Sequence, residues 1–313
     1  MLSHLFIYAL SFIGIWIGSG LVVGSVERLA KILRVSSFSI SFLLLGFFTS
    51  VSELSVGLNS IIENDPEIYV GNLIGASIVI FMLIIPLLAI TGNSIKISPE
   101  FRGFNLPASL VVVALPVILA MDGRIGKTDS FLALTLFGFL VLAIQTKRGL
   151  LENIQSITTQ STVKVGKELI RILFGLATIF IASKFVVEQT MYFSTLLNLS
   201  PFFISLLVIG IGTNIPELSL VVRSAFMKNN QVAFGDYIGS ASFNTFLIGL
   251  LTVINGKSVT LTNSYVVSLL FLIVGLFIFY YFARTKNTIS RSEGFGLLSL
   301  YILFLATEIY LHT

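Results

Sequence analysis

The chain has 313 residues, of which 55% are hydrophobic and only 11% charged, and it carries a net charge of +4 at a mean hydropathy of +0.98. So little charge cannot clothe a soluble globule, and the apolar stretches are too long for core helices, so the composition points to a membrane protein. Without a single cysteine, disulfides and thiolate metal sites are excluded.

In chain order, the first apolar segment (4–26) continues past a signal-peptide core and shows no small-residue cleavage site, so it is read as a span. Spans follow at about 38–62, 68–92, 105–121 and 129–146, each near the ~20 residues that cross a bilayer. A polar stretch at 147–168 comes next, and then spans at about 169–192, 201–227, 232–254, 264–284 and 293–311. The expected fold is an all-α polytopic membrane protein of ten transmembrane helices. Its expected units are a first five-helix repeat at 1–146, a cytoplasmic linker at 147–168 and a second five-helix repeat at 169–313.

Loop charge supplies an orientation. With the N-terminus outside, fifteen of the 19 Lys and Arg residues fall on the inner side, against Arg124, Lys127, Lys184 and Lys257 outside. Both termini are then extracellular and the central loop cytoplasmic. The basic balance reflects this asymmetry and calls for no nucleic-acid partner.

Sliding the chain on itself by 164 residues aligns it without a gap. Ser36, Phe38 and Ser41 meet Ser200, Phe202 and Ser205; Gly46, Thr49, Glu53, Leu54 and Ser55 meet Gly210, Thr213, Glu217, Leu218 and Ser219; Gly71 and Gly75 meet Gly235 and Gly239. Apolar drift rarely aligns Gly, Thr, Ser and Glu in one register. An odd number of spans per half inverts the second half, and in inverted repeats the binding site lies near the midplane, where interrupted helices meet.

Glu53 and Glu217 are the deepest acids of the second and seventh spans. Thr49 and Thr213 precede them by four residues and share their helical faces. Pro216 lacks an N–H, so the Gly212 carbonyl is expected to lose its helical partner. Ser240 and Asn244 lie four apart on one face of the eighth span. Carboxylates, hydroxyls, amides and carbonyls are hard oxygen ligands, suited to calcium or sodium and not to soft metals. Two facing carboxylates are neutralised by one Ca²⁺, two monovalent cations or two protons, and an empty charged pair resists changing sides.

The paired segments "GFFTSVSELS" and "GIGTNIPELS", followed by "GNLIGAS" and "GDYIGSASFN", resemble the repeats of the sodium/calcium exchanger (cation/Ca²⁺ antiporter) superfamily over essentially the whole chain. The resemblance implies two inverted five-helix halves, a central site on helices 2, 3, 7 and 8 (repeat regions 46–80 and 210–244), and long first and sixth helices that slide. It places calcium ligands on the Glu53 and Glu217 carboxylates and on backbone oxygens near Thr49 and Thr213. It places sodium positions on Ser50, Thr213, Ser240, Asn244 and the Gly46 and Gly210 carbonyls, with Asn214 in a serine's place. The chain departs from the pattern at Phe48, Ser52, Ala76, Ile80, Asp236 and Asn244. Ser52 stands for a proline and keeps its N–H, so the Phe48 carbonyl is expected to stay hydrogen-bonded. The expectation is a surviving divalent site with at least one weakened sodium site.

Blander roles stand beside these. Ser240 and Asn244 can simply join helices; Asp236 is expected to cap the eighth helix; Gly18 and Gly24 are expected to serve packing. Lys184 and Glu188 are expected to pair locally. Glu63, Asp65 and Glu67 are expected in a solvated loop, and His4 and His312 carry no signal. No nucleophile–base pair or phosphate loop appears, so an enzyme is not expected. The expected function is Ca²⁺/Na⁺ antiport with no cofactor and no obligate protein partner; a proton-driven exchanger and a non-transporting cation-binding homologue are the alternatives. A linker this short leaves no room for a regulatory calcium-binding domain.

Overall fold

The computed structural model of the chain describes residues 1–32, 46–97, 101, 103–145, 159–219, 221, 230–261 and 266–312. The helices bounded among them are α1 (Leu2–Ile32), α2 (Gly46–Thr49), α3 (Val51–Ile62), α4 (Glu67–Val79), α5 (Ile85–Thr91), α6 (Asn105–Leu119), α7 (Lys127–Gln145), α8 (Thr159–Leu197), α9 (Pro201–Ile204), α10 (Gly210–Thr213), α11 (Asn230–Asn255), α12 (Val266–Lys286) and α13 (Arg291–His312), and residues 215–219 are helical as well. π-Helical turns at Ile80–Ile84 and Ser205–Ile209 join α4 to α5 and α9 to α10. Among the described residues, nine helical stretches are long and apolar enough to cross a membrane. The tenth span, expected at 38–62, is described only from Gly46 on, as α2 and α3.

The longest helices are α1 and α8, with 31 and 39 residues. At ~1.5 Å per residue each exceeds a ~30 Å hydrocarbon layer. α8 starts at Thr159, inside the segment expected as linker. The two run antiparallel and form the most extensive helix pair of the fold. At one end, Tyr8 Oη and Thr190 Oγ1 are 2.8 Å apart, and His4 Nδ1 meets Gln189 Oε1 at 2.8 Å while its ring stacks on Tyr192. At the other, Arg28 pairs with Glu168 at 2.8 Å, and Arg171 holds the same carboxylate at 2.7 Å. His4 therefore has a packing role that the sequence did not announce. Lys184 and Glu188 do pair, at 3.6 Å.

The repeat is visible in the backbone. β1 (Ser94–Lys96) pairs antiparallel with β4 (Thr288–Ser290), and β2 (Arg124–Ile125) with β3 (Val259–Thr260). In the first ribbon Ile95 faces Ile289; in the second Val259 faces Ile125, which is the same pair shifted by 164 residues with the halves exchanged. Even the flanking bonds repeat: Ile97 N–H donates to the Asn287 carbonyl and Leu261 N–H to the Gly123 carbonyl, both at 2.9 Å. One span separates β1 from β2, so the two ribbons close the halves together at opposite faces of the membrane.

Of the acidic loop, Glu67 is buried at the start of α4. Asp65 is half-buried against the Glu67 backbone, and burial raises its carboxyl above the ordinary range. The loop is thus packed where solvation was expected.

Candidate functional site

The second span of each half is interrupted at the same place. α2 stops at Thr49 and α3 starts at Val51, with Ser50 between them at φ −74°, ψ 3°. In the other half α10 stops at Thr213, Asn214 sits at φ −91°, ψ 11°, and residues 215–219 are helical again. Pro216 falls in the first turn after the break, where its missing N–H would have had no helical partner and its fixed φ fits. The break does not depend on proline, because the Ser52 half has it too. The break residues themselves repair the ladder. Ser50 Oγ donates to the Gly46 carbonyl at 2.7 Å, and Asn214 Nδ2 donates to the Gly210 carbonyl at 2.8 Å. The Asn214 N–H turns back onto the Ile211 carbonyl at 3.2 Å.

Each break puts a glutamate in the first turn of a new helix, beside unpaired N–H groups and the positive end of the helix dipole. Glu53 and Glu217 are both fully buried. They lie within electrostatic reach of one another, and each has the opposite half's threonine beside it, Thr213 next to Glu53 and Thr49 next to Glu217. Ser52 Oγ donates to Glu53 Oε2 at 2.9 Å. Glu53 Oε1 and both oxygens of Glu217 have no hydrogen-bond partner. A buried, unsatisfied carboxylate is expensive and calls for a counter-charge or a proton.

Helices α4 and α11 complete the site. Each lies against the broken span of the opposite half: α4 against α9 and α10, α11 against α2. The contact is too close for side chains. A Cβ on Gly46 would sit 2.8 Å from the Gly239 carbonyl carbon, and one on Gly210 would sit 2.9 Å from that of Gly75. The polar contacts across these joints also repeat. Thr213 Oγ1 donates to Asn72 Oδ1 at 3.2 Å, and Thr49 Oγ1 lies 3.5 Å from Asp236 Oδ1, long for such a bond.

The expected set thus largely converges. Thr49, Ser50, Glu53, Thr213, Asn214, Glu217 and Ser240 are all buried at the junction of the halves, flanked by Gly46 and Gly210. Ser50 and Ser240 hydroxyls meet across it at 3.3 Å. Asn244 instead gives its amide to Ser77 Oγ at 3.2 Å and keeps Oδ1 unpartnered. Asp236 corrects the capping expectation: α11 begins at Asn230, so Asp236 lies beyond its first turn, fully buried. Asn72 was missed outright, although the 164-residue register that pairs it with Asp236 was the signal that could have found it. Among the described residues no three acidic or imidazole side chains group tightly enough to clasp one metal ion. A cavity of about 220 Å³ bordered by Phe101, Tyr280 and Arg284 lies near the β1–β4 ribbon, away from these residues.

Two inverted helical halves closing on a buried, oxygen-lined junction define a membrane carrier. The family model described as sodium/calcium exchanger protein matches residues 3–145 and 167–310, and the chain belongs to that family. Family membership places it among transporters and not enzymes. The chain is 25% identical to the sodium/calcium exchanger MaX1 of Methanosarcina acetivorans, over 94% of this chain and 95% of that one. It is 27% identical to an uncharacterised membrane protein of Methanocaldococcus jannaschii, over 96% of each. A solved structure of the sodium-calcium exchanger NCX_Mj, soaked with 2.5 mM Na⁺ and 10 mM Sr²⁺, superposes with a TM-score of 0.71 at 23% identity, covering 97% of this chain and 98% of that one. The shared fold is the ten-helix, two-repeat architecture expected from the sequence.

Proposed function

We propose that the protein exchanges Ca²⁺ for Na⁺ across a cell membrane by alternating access, with Glu53 and Glu217 as the two poles of the transport site. One observation carries the reading: two buried glutamates, one per half, start broken half-helices at the same junction with three of four carboxylate oxygens unpartnered. The surrounding groups offer oxygen alone, which fits Ca²⁺ and Na⁺. Loaded, the pair is neutral and crosses between states; unloaded, its charge is stranded in low dielectric, which couples the return to a counter-ion.

The positive-inside asymmetry orients the carrier with both termini outside and residues 147–168 in the cytoplasm. The β1–β4 ribbon then faces the cytoplasm and the β2–β3 ribbon the exterior. The native lack of cysteine makes this testable: an impermeant thiol reagent should label Lys257→Cys and spare Lys96→Cys in intact cells, and the reverse pattern inverts the orientation.

The decisive test is flux in reconstituted vesicles. Calcium uptake driven by an outward Na⁺ gradient supports the proposal. Uptake that follows a pH gradient and ignores Na⁺ makes the protein a proton-coupled exchanger. Calcium binding without flux makes it a non-transporting homologue.

A further inference from the structure

We propose that Asp236 is an ion-coordinating residue of the transport site and gives the second half a position for a monovalent cation that the first half lacks. The proposal rests on the exchange reading above and adds a third charge to it.

Asp236, Ser240 and Asn244 are spaced four apart and form one polar stripe along α11. Each rung touches the first half: Asp236 at Thr49, Ser240 at Ser50, Asn244 at Ser77. The equivalent stripe along α4 and into the π-helical turn after it is Asn72, Ala76 and Ile80. The first rung decides the charge. Asn72 is a neutral amide whose oxygen lies 3.2 Å from Thr213 Oγ1 and whose Nδ2 has no partner, so that group brings no charge to balance a monovalent cation. At the same place in the other half Asp236 presents Oδ2, buried and unpartnered. It lies within electrostatic reach of Glu217, whose two oxygens are also unpartnered, and of the half-buried Glu27 of α1.

An N-terminal capping role is closed to Asp236 by its place inside α11. Nor is it a third arm on the ion held by the glutamates, because the three carboxylates do not group around one point. What remains is a separate position on the Asp236 side, where the hydroxyls of Thr49, Ser50 and Ser240 supply neutral oxygens. Charge balance then assigns the occupants. One divalent ion neutralises the two glutamates, and one monovalent cation neutralises Asp236.

The test replaces Asp236 with the residue its repeat partner carries. In vesicles of defined lipid, Asp236→Asn should lower the Hill coefficient for Na⁺ by about one unit, because one cation fewer is needed for neutrality. Ca²⁺ affinity should stay within about threefold of wild type, since the glutamates are untouched. Unchanged Na⁺ steepness in a folded variant overturns the proposal. So does a change confined to pH dependence, which makes Asp236 a proton carrier. Wild-type protein soaked with Tl⁺ gives a second readout: an anomalous peak beside Asp236 and Thr49 supports the position, and its absence overturns it. That readout also separates the two ideas, because wild-type vesicles without Na⁺-driven flux defeat the exchange reading while the Tl⁺ soak still decides the Asp236 position.

Discussion

The two halves of the molecule share a backbone and differ in where they keep their polar groups. Both spans break at equivalent residues, Ser50 and Asn214, and both breaks are repaired by the break residue's own side chain. Around the glutamates, the first half is the better furnished: Ser52 donates to Glu53, whereas Pro216 at the equivalent position leaves Glu217 with no hydrogen-bond partner. Along the neighbouring helices the balance reverses, with Asp236, Ser240 and Asn244 standing where the first half has Asn72, Ala76 and Ile80. One consequence is already visible, since Asn214 Oδ1, on the Ala76 side, has no partner, whereas Ser50 meets Ser240. The geometry of the repeat is therefore held fixed by close backbone contacts, while its ligand chemistry has been redistributed.

The most severe way to break the comparison is to neutralise either pole. Glu53→Gln or Glu217→Gln should reduce Ca²⁺ flux by at least about 100-fold, given the ~3–5 kcal/mol lost when one member of a buried charge pair is removed. If the poles share one ion, both variants should also lose the thermal stabilisation that Ca²⁺ gives the wild type. A variant that keeps half the flux would separate the glutamates from transport.

The shared backbone predicts equal damage at the two joints. Gly46→Ala and Gly210→Ala each force a Cβ against the facing helix and should each destabilise by about 1–3 kcal/mol, seen as matching drops in melting temperature in detergent. Unequal drops would show that one joint yields more easily than the other.

The ligand asymmetry predicts unequal effects. Ser240→Ala should weaken apparent Na⁺ affinity by about tenfold or less, the scale of one hydroxyl contact at ~1 kcal/mol. Ala76→Ser should do the opposite on the other side, because a hydroxyl there gives Asn214 Oδ1 a donor and a monovalent ion one more oxygen. Na⁺ titrations of Ca²⁺ flux check both. The smallest effect should come from Pro216→Ala, which restores an N–H in a first turn that has no use for it; stability and flux should change by less than about 1 kcal/mol equivalent. A large loss would return to the proline the break-making role that the Ser52 half denies it.

Much of this was legible in the chain. The 164-residue register rested on Gly, Thr, Ser and Glu, and the glutamates and threonines that it pairs are all buried where the halves meet. The breaks were harder to read. Proline looked like their cause, yet Ser50 and Asn214 make them by offering the ladder a side-chain partner, a local competition that helical periodicity does not display. Asp236 followed a glycine and so looked like a cap, but α11 begins a turn and a half earlier and turns that residue into the interior. Asn72 passed unnoticed because a neutral amide among glycines signals nothing until its partner across the membrane is known. The π-helical turn at Ile80 leaves no mark in an all-apolar run.

The central claim is that one cation is shared by carboxylates contributed from opposite halves. Anomalous diffraction from crystals soaked in Sr²⁺ tests it most directly. The account predicts a single strong peak between Glu53 and Glu217, with oxygen ligands from both at roughly 2.3–2.6 Å, the Ca²⁺-type distance. A peak bound to only one of the two, or strong Sr²⁺ density elsewhere in the molecule with none between them, would contradict it.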